Sequence, residues 1–447
     1  MLNSKAVGQQ SRGTELLSSR VGGKRWILMC PSLFLFWAVA NIDKVGISAI
    51  AANDQFLQEM GISGQATEIG KLMTAFTLSY GLSSVIWGYL VDRVGPRRTA
   101  MLGIYLWGLS LVIGGFASHY DQVLLSRLIL GLGEGMLFPV TNKYISEWFH
   151  PKELGKAQAS WIYGAYAGPA LGLPLVIWIS GEFCWQISFF VLAGVALMAN
   201  LPLIYFITRD TPALHPSVSE AEVNYIQENR HIYTDGVKSA NFHKDPKYWS
   251  INAAFLMAAA LFYGITFWMP TYLQKSHGFS AKEIKSALPL SWIFAVFSVS
   301  VVAFLADRTK RPALIAIIIF LICGVALIAV PMQNERGAVT ALLALALGCT
   351  ASELLLSQLM LVNLAASKAT GKAAGVMGLL NLLGGFVTTF MGFIVDKTGG
   401  NFNAAFLCLA SAPFLGSLAY VCLARHEGAQ LLERKAQAMS SEQPLAL

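Results

Sequence analysis

About twelve apolar stretches follow one another along this 447-residue chain, each close to the roughly 20 residues a helix needs to cross the hydrocarbon layer of a membrane. They run at 26–45, 68–91, 99–118, 121–144, 157–180, 186–207, 249–273, 286–306, 312–331, 338–361, 373–395 and 401–424. Lipid offers no hydrogen-bond partner to a bare backbone, so runs of this length are satisfied as helices. A mean hydropathy of +0.55, with 55% hydrophobic residues, is more apolar surface than a soluble core of this size can use. The expected fold class is an all-α polytopic membrane protein whose solvent is the lipid bilayer. The first 25 residues are polar and basic, and no small-residue cleavage pattern follows Trp26, so the first run is expected to be retained.

Charge sets the expected topology. Lys24 with Arg25, Arg93 with Arg97 and Arg98, Arg308 with Lys310 and Arg311, and Lys368 with Lys372 occupy alternate breaks between runs. The intervening breaks, near Asp54, Asp121 and Glu182, are poor in positive charge, although Lys275, Lys282 and Lys285 run against the trend. Both termini are therefore expected on the cytoplasmic side, with an even number of spans. The net charge of +7 is dispersed over these short loops, which argues against a nucleic-acid partner.

The polar stretch 209–247 divides the runs six and six. The expected organisation is a cytoplasmic tail 1–25, a six-helix bundle 26–207, a cytoplasmic linker 208–248, a second bundle 249–424 and a cytoplasmic tail 425–447. In the linker, Ser219 stands three residues before Glu222, a capping-box start for a short, solvated helix. GYLVDRVGPRR (88–98) and AFLADRTKRP (303–312) follow the second run of each half, which marks Asp92, Arg93, Asp307 and Arg308 as gating or structural residues of a duplicated architecture with a cavity between its halves. The six cysteines show no paired spacing, so neither a disulfide framework nor a metal site is expected. No GxxxxGK[ST], HExxH or GxSxG motif occurs, and the chain is read as needing no cofactor and performing no enzymatic reaction.

Formal charges at hydrocarbon depth are expensive and commonly face an aqueous path or a bound ion. Arg127 and Glu134 lie seven positions apart in the fourth run and so return to nearly one helix face. The arginine offers a fork to a carboxylate, and the glutamate is a candidate for proton exchange. The bland alternative is that the two neutralise each other structurally. In the first run Asp43 and Lys44 diverge by about 100° as helix neighbours; Asp43 is a proton-linked or gating candidate, and Lys44 is either an anion contact or a snorkelling interface residue. Glu353, the acid of the tenth run, is either a second titrating group or a partner for Lys143 or Lys372. Tyr80, Tyr163, Trp268 and Asn381 are candidate substrate contacts, each with ordinary packing as the competing reading.

GYLVDRVGPRR, with its weaker echo ADRTKR, resembles the loop signature of the major facilitator superfamily. NIDKVGISA (41–49) and RLILGLGEGMLFPVTNKYISEWF (127–149) are similar to the anion:cation symporter family within it. The resemblance implies twelve transmembrane helices in two six-helix bundles, a bacterial inner-membrane location, a monomer, and protons and a small organic anion as partners. It also implies proton coupling at Asp43 and Glu134, a substrate- or acid-linked role for Arg127, and a cavity tyrosine at Tyr80. Two departures stand out: Lys44 replaces the family's common arginine, and Gly378 stands where related sugar-acid carriers place a polar residue. A lysine keeps the charge and loses the bidentate fork, so a carboxylate can still bind with altered geometry; Gly378, with Asn381 nearby, and Glu353 in the tenth run add a less hydroxylated or aromatic carboxylate to the candidates. The rival expectations are exchange or facilitated diffusion without protons, export of an aromatic compound, and a non-transporting receptor.

Overall fold

The computed structural model describes residues 23–150, 153–227, 244–309, 311–364, 380 and 382–441, and among them helix follows helix without a strand. The first half comprises α1 (Lys24–Ile50), α2 (Asp54–Glu59), α3 (Ala66–Val94), α4 (Pro96–Gly115), α5 (Tyr120–Glu134), α6 (Leu137–Trp148), α7 (Leu154–Glu182) and α8 (Trp185–Val195). The short α9 (Glu220–Gln227) lies in the linker. The second half comprises α10 (Pro246–His277), α11 (Ala281–Thr309), α12 (Pro312–Ala329), α13 (Arg336–Leu364), α14 (Val387–Lys397), α15 (Phe402–Leu409) and α16 (Ser411–Ser441).

Among the described residues, ten helical segments are long and apolar enough to cross a membrane, with α5–α6 and α15–α16 each counting as one. The two remaining expected spans have clear reasons for falling outside that set. Helix α3 is 29 residues long, but Thr74, Thr77, Ser79, Tyr80, Gly81, Ser83, Ser84 and Gly88 dilute its charge-free middle, and the eleventh run is described only from residue 380 onward. With α3 and the described part of the eleventh run, the order among the described residues follows the expected runs.

Local chemistry explains the helix boundaries. Pro96, Pro246 and Pro312 occupy first-turn positions, where a missing N–H costs nothing. Asn53 and Asp245 cap α2 and α10 through their side chains. The fourth span breaks between Glu134 and Leu137, just before Pro139, which has no N–H to return to the Gly135 carbonyl. Glu134 therefore sits at the last position of α5.

Close backbone approach fixes the first half around α1. Gly164, Gly168 and Gly172 lie four residues apart on α7, and a Cβ on the first two would fall 2.2 Å from the Phe34 carbonyl oxygen and 2.1 Å from that of Ala38. This small-residue stripe seats α7 directly on α1. Among the described residues the halves meet mainly where α1 packs on α10, α3 on α14, and α7 on α11.

The linker helix differs from expectation. It begins where Ser219 predicts, with Ser219 Oγ accepting from Glu222 N at 3.3 Å, and its outer face at Glu220, Ala221, Asn224 and Gln227 is exposed, yet its inner face is not solvated. Glu222 and Ile226 are fully buried. The Glu222 carboxylate accepts from the Arg25 backbone N–H at 3.1 Å and from its guanidinium at 2.8 Å, while Glu153 takes the other edge of the same guanidinium at 2.7 and 3.1 Å. Arg25, placed by sequence in the tail, is thus part of α1 and clamps α9 to the first half. At the far end, α16 continues to Ser441, well past the expected limit of 424. Removing one member of a buried ion group strands the others, at roughly 3–5 kcal/mol. Arg25→Ala is expected to lower the thermal unfolding midpoint in detergent clearly, and Glu153→Gln much less, since Glu222 keeps its arginine; equal midpoints for all three proteins would show that the clamp is not structural.

Candidate functional site

Four charged side chains meet at mid-span in the first half, all buried: Asp43, Lys44, Arg127 and Glu134. Their arrangement differs from a simple arginine–glutamate pair. Arg127 turns toward α1, where its two terminal nitrogens donate to the carbonyl oxygens of Asp43 at 3.4 Å and Lys44 at 3.3 Å, and its guanidinium lies over the Phe76 ring at 5.2 Å. No carboxylate oxygen of Glu134 comes within ion-pair distance of it among the described residues.

Asp43 and Lys44 diverge as adjacent helical residues must. Asp43 faces α4, where the Trp107 indole N–H donates to Oδ2 and Oδ1 is left without a partner. Lys44 faces α3 and lies among three aromatic faces, with Nζ 4.9 Å from the centroid of Tyr80 and 5.8 Å from those of Trp37 and Phe76. Among the described residues its ammonium meets no oxygen acceptor. Both carboxyl oxygens of Glu134 and the hydroxyl of Tyr80 are also buried without partners. The break after Glu134 and the small residues beside it bring these groups together: a Cβ on Gly135 would meet Ser83 Oγ at 2.1 Å, and one on Gly131 would meet the Phe76 carbonyl at 2.3 Å.

The remaining expected site residues fall elsewhere. Trp268 is buried, and its indole donates to the Thr388 carbonyl at 3.0 Å, which places it in the packing of α10 on α14. Tyr163 is partly exposed on α7, with its hydroxyl 3.4 Å from Ser300 Oγ across the α7–α11 contact. Asn381 and Gly378 lie outside the described residues. Asp92 pairs with Lys143 at 3.1 Å, Arg93 stacks on Tyr89 at 4.1 Å, Arg308 is exposed, and the Asp307 side chain lies outside what the structure describes.

Glu353 is enclosed within the second half. Its Oε1 accepts from Ser357 Oγ at 2.6 Å and from the Tyr420 hydroxyl at 2.8 Å, so α13 is tied to α16. Lys143, one partner suggested by sequence, is engaged with Asp92 and Glu147 in the other half. Sequence reasoning missed Trp107, Trp37 and Phe76. Trp107 did carry a signal, since an indole at mid-span needs an acceptor for its N–H; the two other rings look like ordinary core residues.

Comparison with known proteins agrees with this architecture. The profile described as Major Facilitator Superfamily matches residues 29–389, and the chain belongs to that superfamily. It is 26% identical to the D-galactonate transporter of Escherichia coli O6:H1, covering 90% of this chain and 96% of that protein. It is 27% identical to the probable sulfoacetate transporter of Cupriavidus necator (90% and 94%) and 24% identical to the hexuronate transporter of Bacillus subtilis (88% and 94%). A bacterial homolog of the human lysosomal transporter Spinster shares the fold, with a TM-score of 0.67 at 17% identity over 91% of this chain and 96% of that one. The protein is a multi-pass membrane transporter and not an enzyme.

Because glutamine can accept the same two hydroxyl bonds, Glu353→Gln is expected to leave uptake KM and the unfolding midpoint nearly unchanged, whereas Glu353→Ala, which empties the site, should cost about 1–3 kcal/mol of stability. Uptake that loses its pH dependence in Glu353→Gln would instead give this acid a part in proton transfer.

Proposed function

We propose that this transporter is a proton-coupled symporter that imports a small organic anion, a sugar acid or another carboxylate, by alternating access. The observation that carries the reading is the Lys44 ammonium. It is a buried cation with three donors and no acceptor among the described residues, held against aromatic faces. A cation so placed is stabilised by an anionic guest. The relatives named for galactonate, sulfoacetate and hexuronate transport support that class of guest.

Glu134 supplies the link to protons, because its charge acts electrostatically on both Lys44 and Arg127. Bare carboxylate oxygens buried without partners are costly, and a bound proton removes that cost. With Glu134 neutral, Lys44 is free to hold a substrate carboxylate; once Glu134 loses its proton, it competes for Lys44 and favours release. Asp43, with Oδ1 free and Oδ2 held by Trp107, is a second proton acceptor. Arg127 in this scheme is a positioning residue that holds the α1 backbone beneath both side chains.

The proposed setting is the inner membrane of a bacterium, with a monomer in which bundles 26–207 and 249–424 rock about the site and the linker 208–248 and both termini are cytoplasmic. The distribution of basic loops supports this orientation.

The test is uptake of labelled sugar acids, dicarboxylates, sulfonates and aromatic acids into proteoliposomes, with and without an inward proton gradient. One acid is expected to accumulate against its gradient. Glu134→Gln should abolish gradient-driven accumulation, and Lys44→Ala should weaken apparent affinity by about 10–100-fold, the loss of a charge-assisted contact of roughly 1.5–3 kcal/mol. Uptake indifferent both to the gradient and to Glu134→Gln would sink symport and leave exchange or facilitated diffusion.

A further inference from the structure

Helix α3 begins without a cap of its own. Gln65 at its N-cap position makes no side-chain bond to the helix, and four N–H groups at any helix start need acceptors. The acceptor comes from the other half of the molecule. The Asp396 carboxylate on α14 receives the Ala66 N–H at 2.7 Å, the Thr67 N–H at 2.8 Å and the Thr67 hydroxyl at 2.5 Å. A carboxylate there also meets the positive end of the helix dipole.

The same seam continues inward as a ladder of small and hydroxyl residues. Thr388 Oγ1 donates to the Gly70 carbonyl at 2.9 Å, and Thr74 Oγ1 donates to the Gly385 carbonyl at 3.1 Å. A Cβ on Gly392 would fall 2.2 Å from the Ala66 carbonyl, and one on Gly70 would fall 2.3 Å from that of Thr388. Backbone meets backbone here. Nearby, Lys275 of α10 pairs with Asp54 of α2 at 2.8 Å, so the halves are closed at the end that bears α2.

We infer that Asp396 is a conformational latch: it caps α3 in trans only while the halves are closed at this end, and so sets how readily that end opens. Opening bares the N-terminus of α3 and the carboxylate together, and the lost bonds weigh against the open state. Most helix caps are local and survive rigid-body movement; this one does not. The inference rests on the proposal that the two halves rock.

Spin labels at Gln58 and Lys282, exposed positions at this end of opposite halves, report the opening in a background lacking the six native cysteines, reconstituted in lipid nanodiscs. Asp396→Asn, which keeps one acceptor and loses the other, is expected to raise the ratio of open to closed distances at least threefold, with a smaller rise for Thr67→Ala. Asn401→Ala removes a neighbouring cap that lies within one half, and should leave the ratio unchanged. Distances unaltered in Asp396→Asn overturn the latch, as does an equal shift in Asn401→Ala, which would mean general loosening. If Asp396→Asn is not recovered folded, Thr67→Ala decides by the presence or absence of its shift. Uptake measured on the same proteins separates the two ideas: intact wild-type gradient-driven accumulation with unmoved distances sinks the latch alone, and failure of the wild type to accumulate any acid removes the reading on which it rests.

Discussion

The contact between the Arg127 guanidinium and the carbonyls of Asp43 and Lys44 governs the centre of this molecule. Those two residues are neighbours on α1, so one rotation of the helix decides where both side chains go. With α1 held by Arg127 on one side and by the glycine stripe of α7 on another, Asp43 reaches Trp107 and Lys44 reaches the aromatic trio. A charge that reads in sequence as a substrate fork acts in the folded chain as the fixture that aims two other charges. The fixture suits arginine, whose planar donors can span consecutive carbonyls and whose face can lie on a ring, as here on Phe76.

Buried charges in this protein differ in whether they keep any short polar bond at all. Arg25 with Glu153 and Glu222, and Glu353 with Ser357 and Tyr420, make short bonds to specific partners. Glu134 instead has neither carboxyl oxygen partnered among the described residues, and the Lys44 ammonium meets no oxygen acceptor there, whereas Asp43, Glu222 and Glu353 each have one oxygen bonded and one bare. Satisfied groups specify packing, and a polar group left bare in a low-dielectric interior raises the energy of the empty state. That cost falls when a proton or an anion arrives. A carboxylate and an ammonium with no short polar bond among the described residues, Glu134 and Lys44, separate the proposed binding centre from groups that keep at least one.

The sequence made the helical architecture legible because a bilayer imposes a length on every span, and the expected runs agree with the helices to within a few residues at most ends. The four central charges stood out in sequence because formal charge at hydrocarbon depth is expensive, and the structure buries all four. Their partners were less accessible, since helix periodicity places residues on a face and says nothing about which neighbour that face meets. Arg127 and Glu134 do share a face, yet the arginine is drawn to carbonyls of α1, a long-range contact. The linker helix failed for the same reason. Its start was written in Ser219, but the burial of Glu222 depends on Arg25, nearly two hundred residues away.

All four central charges belong to the first half, and among the described residues no direct charge pairing joins the site to the second half. Helix α3 offers a mechanical route. It carries Phe76 and Tyr80 against Lys44 at its middle, and at its start it carries the amides that Asp396 caps. About ten residues of α-helix, close to 15 Å, separate those two stations, and an uninterrupted helix over that length moves as a unit. In the proposed mechanism, a shift of α3 that accommodates a guest beside Lys44 also shifts the amides on which the seam depends. The proposed site and the seam are two stations on one helix, so under the proposed mechanism a displacement of α3 at one is felt at the other.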